Sequence, residues 1–153
     1  MRNVLGLLSA VLVVASVACS AGDGGEAEAR REIEQMLSEY LPVLAQAYGE
    51  DDPLRLSEWV ADKEIARVHK RIEELADQGS SLQPTFHSVT VEDVRVWGNS
   101  NAFVTTVEVW DLKSVALGTG MVVQEVEGQV NRVRYQLKKG GGRWRVLFRT
   151  IAE

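Results

Sequence analysis

Cysteine is nearly absent. Cys19 is the only one among 153 residues, so no disulfide can form within the chain and packing alone must hold its core. Histidine is almost as scarce: His69 and His87 are the only two. No His/Cys/Asp/Glu spacing recommends a metal site, and no cofactor motif is present. Positive charge is not in excess, since the formal net charge is −5, which argues against general nucleic-acid affinity. The apolar core of the N-terminal segment, Val4–Ala15, falls short of the roughly 20 residues that a bilayer-spanning helix needs. What remains is globular in balance, with 45% apolar and 25% charged residues. That length and balance suit one ordinary domain with a short additional segment.

Charge is unevenly placed. Residues 23–78 carry 7 basic and 15 acidic side chains, whereas 79–153 carry 9 basic and 7 acidic. Within 131–150 there are seven basic residues and no acidic one.

The N-terminus, MRNVLGLLSAVLVVASVAC, reads as a targeting segment over residues 1–19: Arg2 supplies the charged start, Val4–Ala15 the apolar core, and small residues lead to Cys19. It resembles bacterial lipoprotein signals, in which a small residue precedes a cysteine that is lipidated and becomes the new N-terminus. Ala18 and Cys19 match that pattern, and Ser16 departs from it. The resemblance implies lipidation at Cys19 and an extracytoplasmic, membrane-anchored domain. Ordinary cleavage near Ala18 or Ala21 is the alternative. Residues 20–29, small and acidic, read as a flexible tether of roughly 17 Å.

Helical spacing of Ile33, Met36, Leu37, Tyr40, Leu41, Leu44, Ala47 and Tyr48 predicts a helix from about Glu28 to Tyr48, with Pro42 kinking or dividing it. Asp52-Pro53 predicts the start of a short helix, Leu54–Val60, with Asp52 as its cap. A further helix from Asp62 turns Ile65, Val68, Ile72, Leu75 and Ala76 inward and ends at Gly79. Its outer face includes Lys63, Glu64, Arg67 and Lys70 and reads as solvated.

After Pro84 the period becomes alternating. Strands are predicted over His87–Trp97, Ala102–Leu112, Met121–Lys138 and Arg143–Ile151. Parity flips near Glu92-Asp93 and around Gly128–Asn131, which signals bulges and a strongly curved sheet. The last two strands form a hairpin about Gly140–Gly142 that pairs Leu137 with Trp144, Tyr135 with Val146 and Val133 with Phe148. Its other face carries Arg132, Arg134, Lys138, Arg143, Arg145 and Arg149. Helices leading into strands give an α+β domain over 30–153, its N-terminal helices packed in a curved four-stranded antiparallel sheet.

That order is similar to the nuclear transport factor 2-like (cystatin-like) cone. The segments HKRIEELADQGSSLQPTFHSVTVEDVRV and RVRYQLKKGGGRWRV resemble, more narrowly, the intermembrane-space domain of the plastid and cyanobacterial division protein family. The resemblance covers roughly residues 30–153, without that family's J-like and transmembrane segments. It implies a docking module for a protein or peptide partner.

Other branches of the cone are acid–base enzymes. His87 shares the parity of Val89 and Val91, so it could face the concavity with Asp111 or Glu108 orienting it; Trp59 and Tyr135 could line the same cavity. The bland alternative is a rim histidine. His69 sits beside the stripe of the last helix and reads as an ordinary helix residue. Gly140–Gly142 joins two strands and opens no helix, so it is no phosphate loop. The expectation is a non-enzymatic binding or scaffold domain, a homodimer left open, with the basic hairpin face as candidate interaction surface for an acidic partner or anionic headgroups; the alternative is that Glu125, Glu127, Asp93 or the acidic helical half of a second copy supplies the counter-charge. A small-molecule or catalytic site in the cone is the runner-up. Polarity of the cavity separates the two: closed and apolar for docking, open with His87 beside a carboxylate for an enzyme.

Overall fold

The computed structural model describes residues 23–152. Helix α1, Asp23–Gly49, lays Ile33, Leu37, Tyr40, Leu41 and Ala47 at full burial along one stripe. Ile33, Leu37 and Leu41 each contribute about 2 kcal/mol on leaving water. Pro42 stays within the helix and faces solvent. The helix begins at Asp23, so the stretch from there to Ala29, expected to be a flexible tether, is helical. Residues 1–22, including Cys19, lie outside the described residues.

A single 3-10 turn, Pro53–Leu56, stands where a longer helix is predicted, and Asp52 makes no side-chain capping bond. The chain then runs beside the last strand: Ala61 N–H donates to the Val146 carbonyl at 2.8 Å, and Val146 N–H to that of Trp59 at 2.8 Å. Helix α2, Asp62–Asp77, buries Val68 and Leu75 as expected. Glu64, expected on the solvated face, is buried; Ala76, expected inside, is exposed. Gly79, at φ 74°, makes the left-handed turn into the sheet that a β-carbon would disfavour.

The sheet is an antiparallel meander in the order β1-β2-β3-β4, with β1 Ser80–Trp97, β2 Asn101–Ala116, β3 Val122–Gly140 and β4 Arg143–Ile151. The first strand starts well before His87 and includes Pro84, which an edge strand tolerates. Both expected bulges are present. Glu92 is the extra residue between Val91 and Asp93, and Glu127-Gly128 face Asp111 alone between the Leu112–Val126 and Trp110–Gln129 pairs. Three further irregularities went unpredicted, at His87 in β1, at Val123 in β3 and at Leu147 in β4.

The Leu147 bulge corrects the hairpin. The turn residues are Gly141 and Gly142, at φ 58° and 78°, and Gly140 pairs with Arg143. Leu137 therefore pairs with Val146 rather than Trp144. Beyond the bulge Tyr135 pairs with Arg149 and Gln136 with Phe148. A slip of two keeps parity, so Trp144 and Val146 stay inside as expected. The extra residue then reverses the parity of the rest of the strand: Phe148 turns outward and Arg149 turns inward. Helices α1 and α2 cover one face of the sheet, where Val91, Val94, Val104, Trp110, Val133, Tyr135, Leu137 and Val146 complete the core.

Candidate functional site

The interior of the cone is polar at its centre and filled. Glu108 alternates with Val104, Thr106 and Trp110 on the inward side of β2 and is fully buried. Four donors reach its carboxylate: Arg149 Nη2 at 2.7 Å, Trp110 Nε1 at 3.0 Å, Thr106 Oγ1 at 3.2 Å, and the Tyr135 hydroxyl. Arg149 Nε also donates to the Tyr135 hydroxyl at 3.0 Å. Burial alone would lower the Arg149 pKa, but Tyr135 and Glu108 outweigh it and hold the guanidinium charged. Burial pushes the Tyr135 phenol well above its ordinary range. Nearby, the Tyr40 hydroxyl is fully buried with no partner among the described residues, and burial raises its pKa too. Such a carboxylate with every lone pair engaged is a structural centre, since it has no free site at which to accept a substrate's proton.

The opening beside this network is small. A cavity of about 150 Å³ at the mouth of the cone is lined by Leu44, Tyr48, Arg71, Trp110, Leu112 and Arg149, among others. Ordinary ligand pockets hold about 300–1,000 Å³.

His87 does not enter it. As the bulged residue of β1 it is pushed to the outer face, where its Nε2 lies 2.7 Å from Asp111 Oδ2. Asp111 is itself the unpaired residue of β2 and accepts the Gly128 N–H at 2.7 Å. That backbone bond, then the bond to His87, holds the Asp111 carboxyl below its usual range. The pair straps the two bulges together, side by side with side-chain exposures of 44% and 36%. Trp59, also expected in the cavity, lies in a separate groove between α1 and the hairpin tip, with Glu32, Met36, Glu58 and Trp144. Of the expected cavity residues only Tyr135 lies inside the cone. His69 is exposed, 3.8 Å from Glu73. Among the described residues no group of three or more His, Cys, Asp or Glu could hold a metal.

The outer face of the sheet is the remaining candidate. Of the six residues placed there by the sequence, Arg149 is a correction: its side chain is 19% exposed and committed to Glu108. Arg132 pairs with Glu92 at 2.8 Å, and Arg143 lies 3.9 Å from Glu58 and over the Trp59 ring. Arg134, Lys138 and Arg145 are exposed and meet no carboxylate among the described residues. Lys138 and Arg145 are direct cross-strand partners, a like-charge pair that costs a few tenths of a kcal/mol or more. Register sets Phe103 beside Gln136 and Thr105 beside Arg134, so Phe103 stands among these cations. It is 52% exposed and packs on Trp97, ring centroids 4.6 Å apart. The aromatic pair was not singled out from the sequence as part of this face. Its signal is parity, because Phe103 alternates with the buried Ala102 and Val104.

The sequence model of the family described as "ARC6-like, IMS domain" matches residues 34–147. Among solved structures, the intermembrane-space region of the chloroplast protein ARC6 is similar at TM-score 0.67 and 18% identity, covering 79% of this chain and 94% of that one. A periplasmic fragment of TraM aligns at TM-score 0.56 and 11% identity, covering 81% and 97% of the two chains. A nuclear transport factor 2-like superfamily protein from Salmonella enterica serovar Typhimurium aligns at 0.53 and 12%, covering 82% and 91%. No curated protein sequence matches the chain. At these identities the structures establish the fold, a nuclear transport factor 2-like cone.

Proposed function

Because the chain belongs to the ARC6-like IMS-domain family, we propose that it is a non-catalytic docking domain that binds an acidic segment of a partner protein on the outer face of its sheet. The observation that carries this reading is the cluster of Arg134, Lys138 and Arg145, three exposed cations without carboxylate partners among the described residues, beside the exposed Phe103–Trp97 pair. Unneutralised like charges side by side oppose folding slightly, and an acidic partner relieves them. Exposed aromatics add desolvated area, the usual anchor of an interface.

The interior is polar at its centre and not the closed apolar cavity expected of a docking domain; what weighs against catalysis is that it is filled. The cone is plugged by the Glu108–Tyr135–Arg149 network, and its small mouth lacks a histidine–carboxylate pair. His87 does stand beside a carboxylate, but outside the cavity. The matched family is described as an intermembrane-space domain, which favours an extracytoplasmic place for this domain. A lipid on Cys19 would tether it there; no helix among the described residues is long and apolar enough to cross a membrane.

The test is a combined Arg134→Gln, Lys138→Gln and Arg145→Gln variant against a synthetic peptide alternating Glu with Leu and Phe. Stability is unchanged or rises, and affinity at low salt falls roughly tenfold or more while its salt dependence flattens. A clear loss of stability with unchanged affinity would return these residues to a structural role. Stronger binding to anionic vesicles than to the peptide would assign the face to lipid headgroups instead.

A further inference from the structure

The sheet has a second open surface, distinct from its outer face. β3 spans Val122–Gly140, yet β4 pairs only with Val133–Gly140, and Ala152 N–H closes on the Arg132 carbonyl. From Val122 to Asn131 the strand has β2 on one side and no strand on the other among the described residues. An open edge presents backbone N–H and C=O groups ready to pair, and folded proteins ordinarily cover or blunt one.

Here the exposed apolar residues concentrate at that edge. Met121, Val122, Val123, Val126 and Val130 are 69%, 53%, 66%, 36% and 63% exposed. Val126 and Gln124 line a shallow hollow with Leu82, Leu112 and Gln129, and Leu82 and Leu112 also line the mouth of the cone. A strand added to the edge would thus lay alternate side chains onto an apolar bed.

Charge decides the occupant. The edge carries Glu125 and Glu127, both exposed; Glu125 meets Lys113 at 3.2 Å, and Glu127 meets no cation among the described residues. A second copy is disfavoured. The two-fold register centred on Val126, which sets Val122 against Val130, also sets Glu125 against Glu127, and like charges opposite one another destabilise a pair. We propose that the open edge of β3, Val122–Asn131, receives an extended segment of another protein that alternates apolar residues with lysine or arginine, adding a fifth strand to the sheet. This is a different surface from the basic outer face, and it selects the opposite charge.

The test uses two synthetic peptides of the same alternating valine–threonine sequence, one bearing Lys and one Glu at every fourth position. Binding of the Lys peptide to the full chain is monitored by amide hydrogen exchange and fluorescence anisotropy. The proposal expects slowed exchange confined to residues 122–131 and preference for the Lys peptide. Glu127→Lys should reverse that preference by about tenfold, the swing of one cross-strand pair from opposite to like charge. Because Glu127 is exposed, the variant keeps the wild-type melting temperature. Absence of protection at 122–131 with millimolar peptide would overturn the proposal. So would protection elsewhere, or self-association that Glu127→Lys strengthens in place of peptide binding. The outer-face variants with glutamine at 134, 138 and 145 should bind the Lys peptide as wild type does, which separates this site from the docking face.

Discussion

Replacing Glu108 with glutamine probes the centre of the cone with little change of shape. In the wild type the carboxylate is fully buried and takes a 2.7 Å bond from Arg149 and a 3.0 Å bond from Trp110. Glutamine fills the same volume but brings two N–H donors to a place crowded with donors. It also leaves the Arg149 guanidinium, 19% exposed, without its counter-charge. Removing one partner of a buried pair costs about 3–5 kcal/mol. The residual exposure of Arg149 moves the expectation to the lower end, about 3 kcal/mol, or roughly a 10 °C fall in Tm for a domain of this size. Arg149→Met is expected to cost a similar amount by stranding the carboxylate. The double variant should cost much less than the sum, with about 2 kcal/mol of coupling, because neither charge then lacks a partner. Urea denaturation of all four proteins with a shared m value measures this. A Glu108→Gln loss below about 1 kcal/mol, or strict additivity, would show that the network does not hold the cone in the way argued.

Three further outcomes concern individual groups. Tyr40→Phe removes a buried hydroxyl without a partner among the described residues, so stability should rise by about 1 kcal/mol in the same titration; a loss would mean the hydroxyl is bonded. The folded-state pKa of Asp111 is depressed. Its contribution is therefore fully present above the unfolded aspartate range and lost as pH falls through the lower folded value. Exchange at the Gly128 amide, corrected for its intrinsic pH dependence, should speed up in that window, and Asp111→Asn should weaken the acid response. Cys19→Ala should release the protein to the soluble fraction while leaving the domain's Tm unchanged; a variant as membrane-bound as wild type would place the anchor elsewhere.

The fold was legible where period and parity are strong. The stripe from Ile33 to Ala47 is set by helical spacing, and the inward Trp144 and Val146 of β4 and the bulge at Glu92 by alternation. Bulges without a parity signal were not legible. Nothing in the run of Arg143 to Ile151 marks Leu147 as an extra residue, because Leu147 and Phe148 are both apolar and either could face the core. That one insertion moved Arg149 from the surface to the heart of the molecule. At His87 the adjacent Phe86 competes for the inward position, and the larger ring takes it, packing edge-on against Trp110 at 5.1 Å. The histidine goes outward in consequence. Glu64 was misplaced because helical spacing alone assigns faces by neighbouring polarity. Arg67, 2.9 Å from its carboxylate, makes its burial tolerable. On the basic face, sequence parity placed Arg134, Lys138 and Arg145 correctly, since an even slip in register leaves sides unchanged.

The most direct measurement of the docking reading is site-specific photo-crosslinking in native membranes. A photoreactive residue replaces Phe103 in the middle of the outer face, and a control replaces Leu54, exposed near the 3-10 turn on the helical side. A discrete protein adduct is expected at 103 and none at 54. That adduct should disappear when Arg134, Lys138 and Arg145 become glutamine, while Tm is held. The partner segment it identifies by mass spectrometry should be acidic. Adducts equal at both positions, or an adduct at 103 indifferent to the loss of the three cations, would contradict the docking reading.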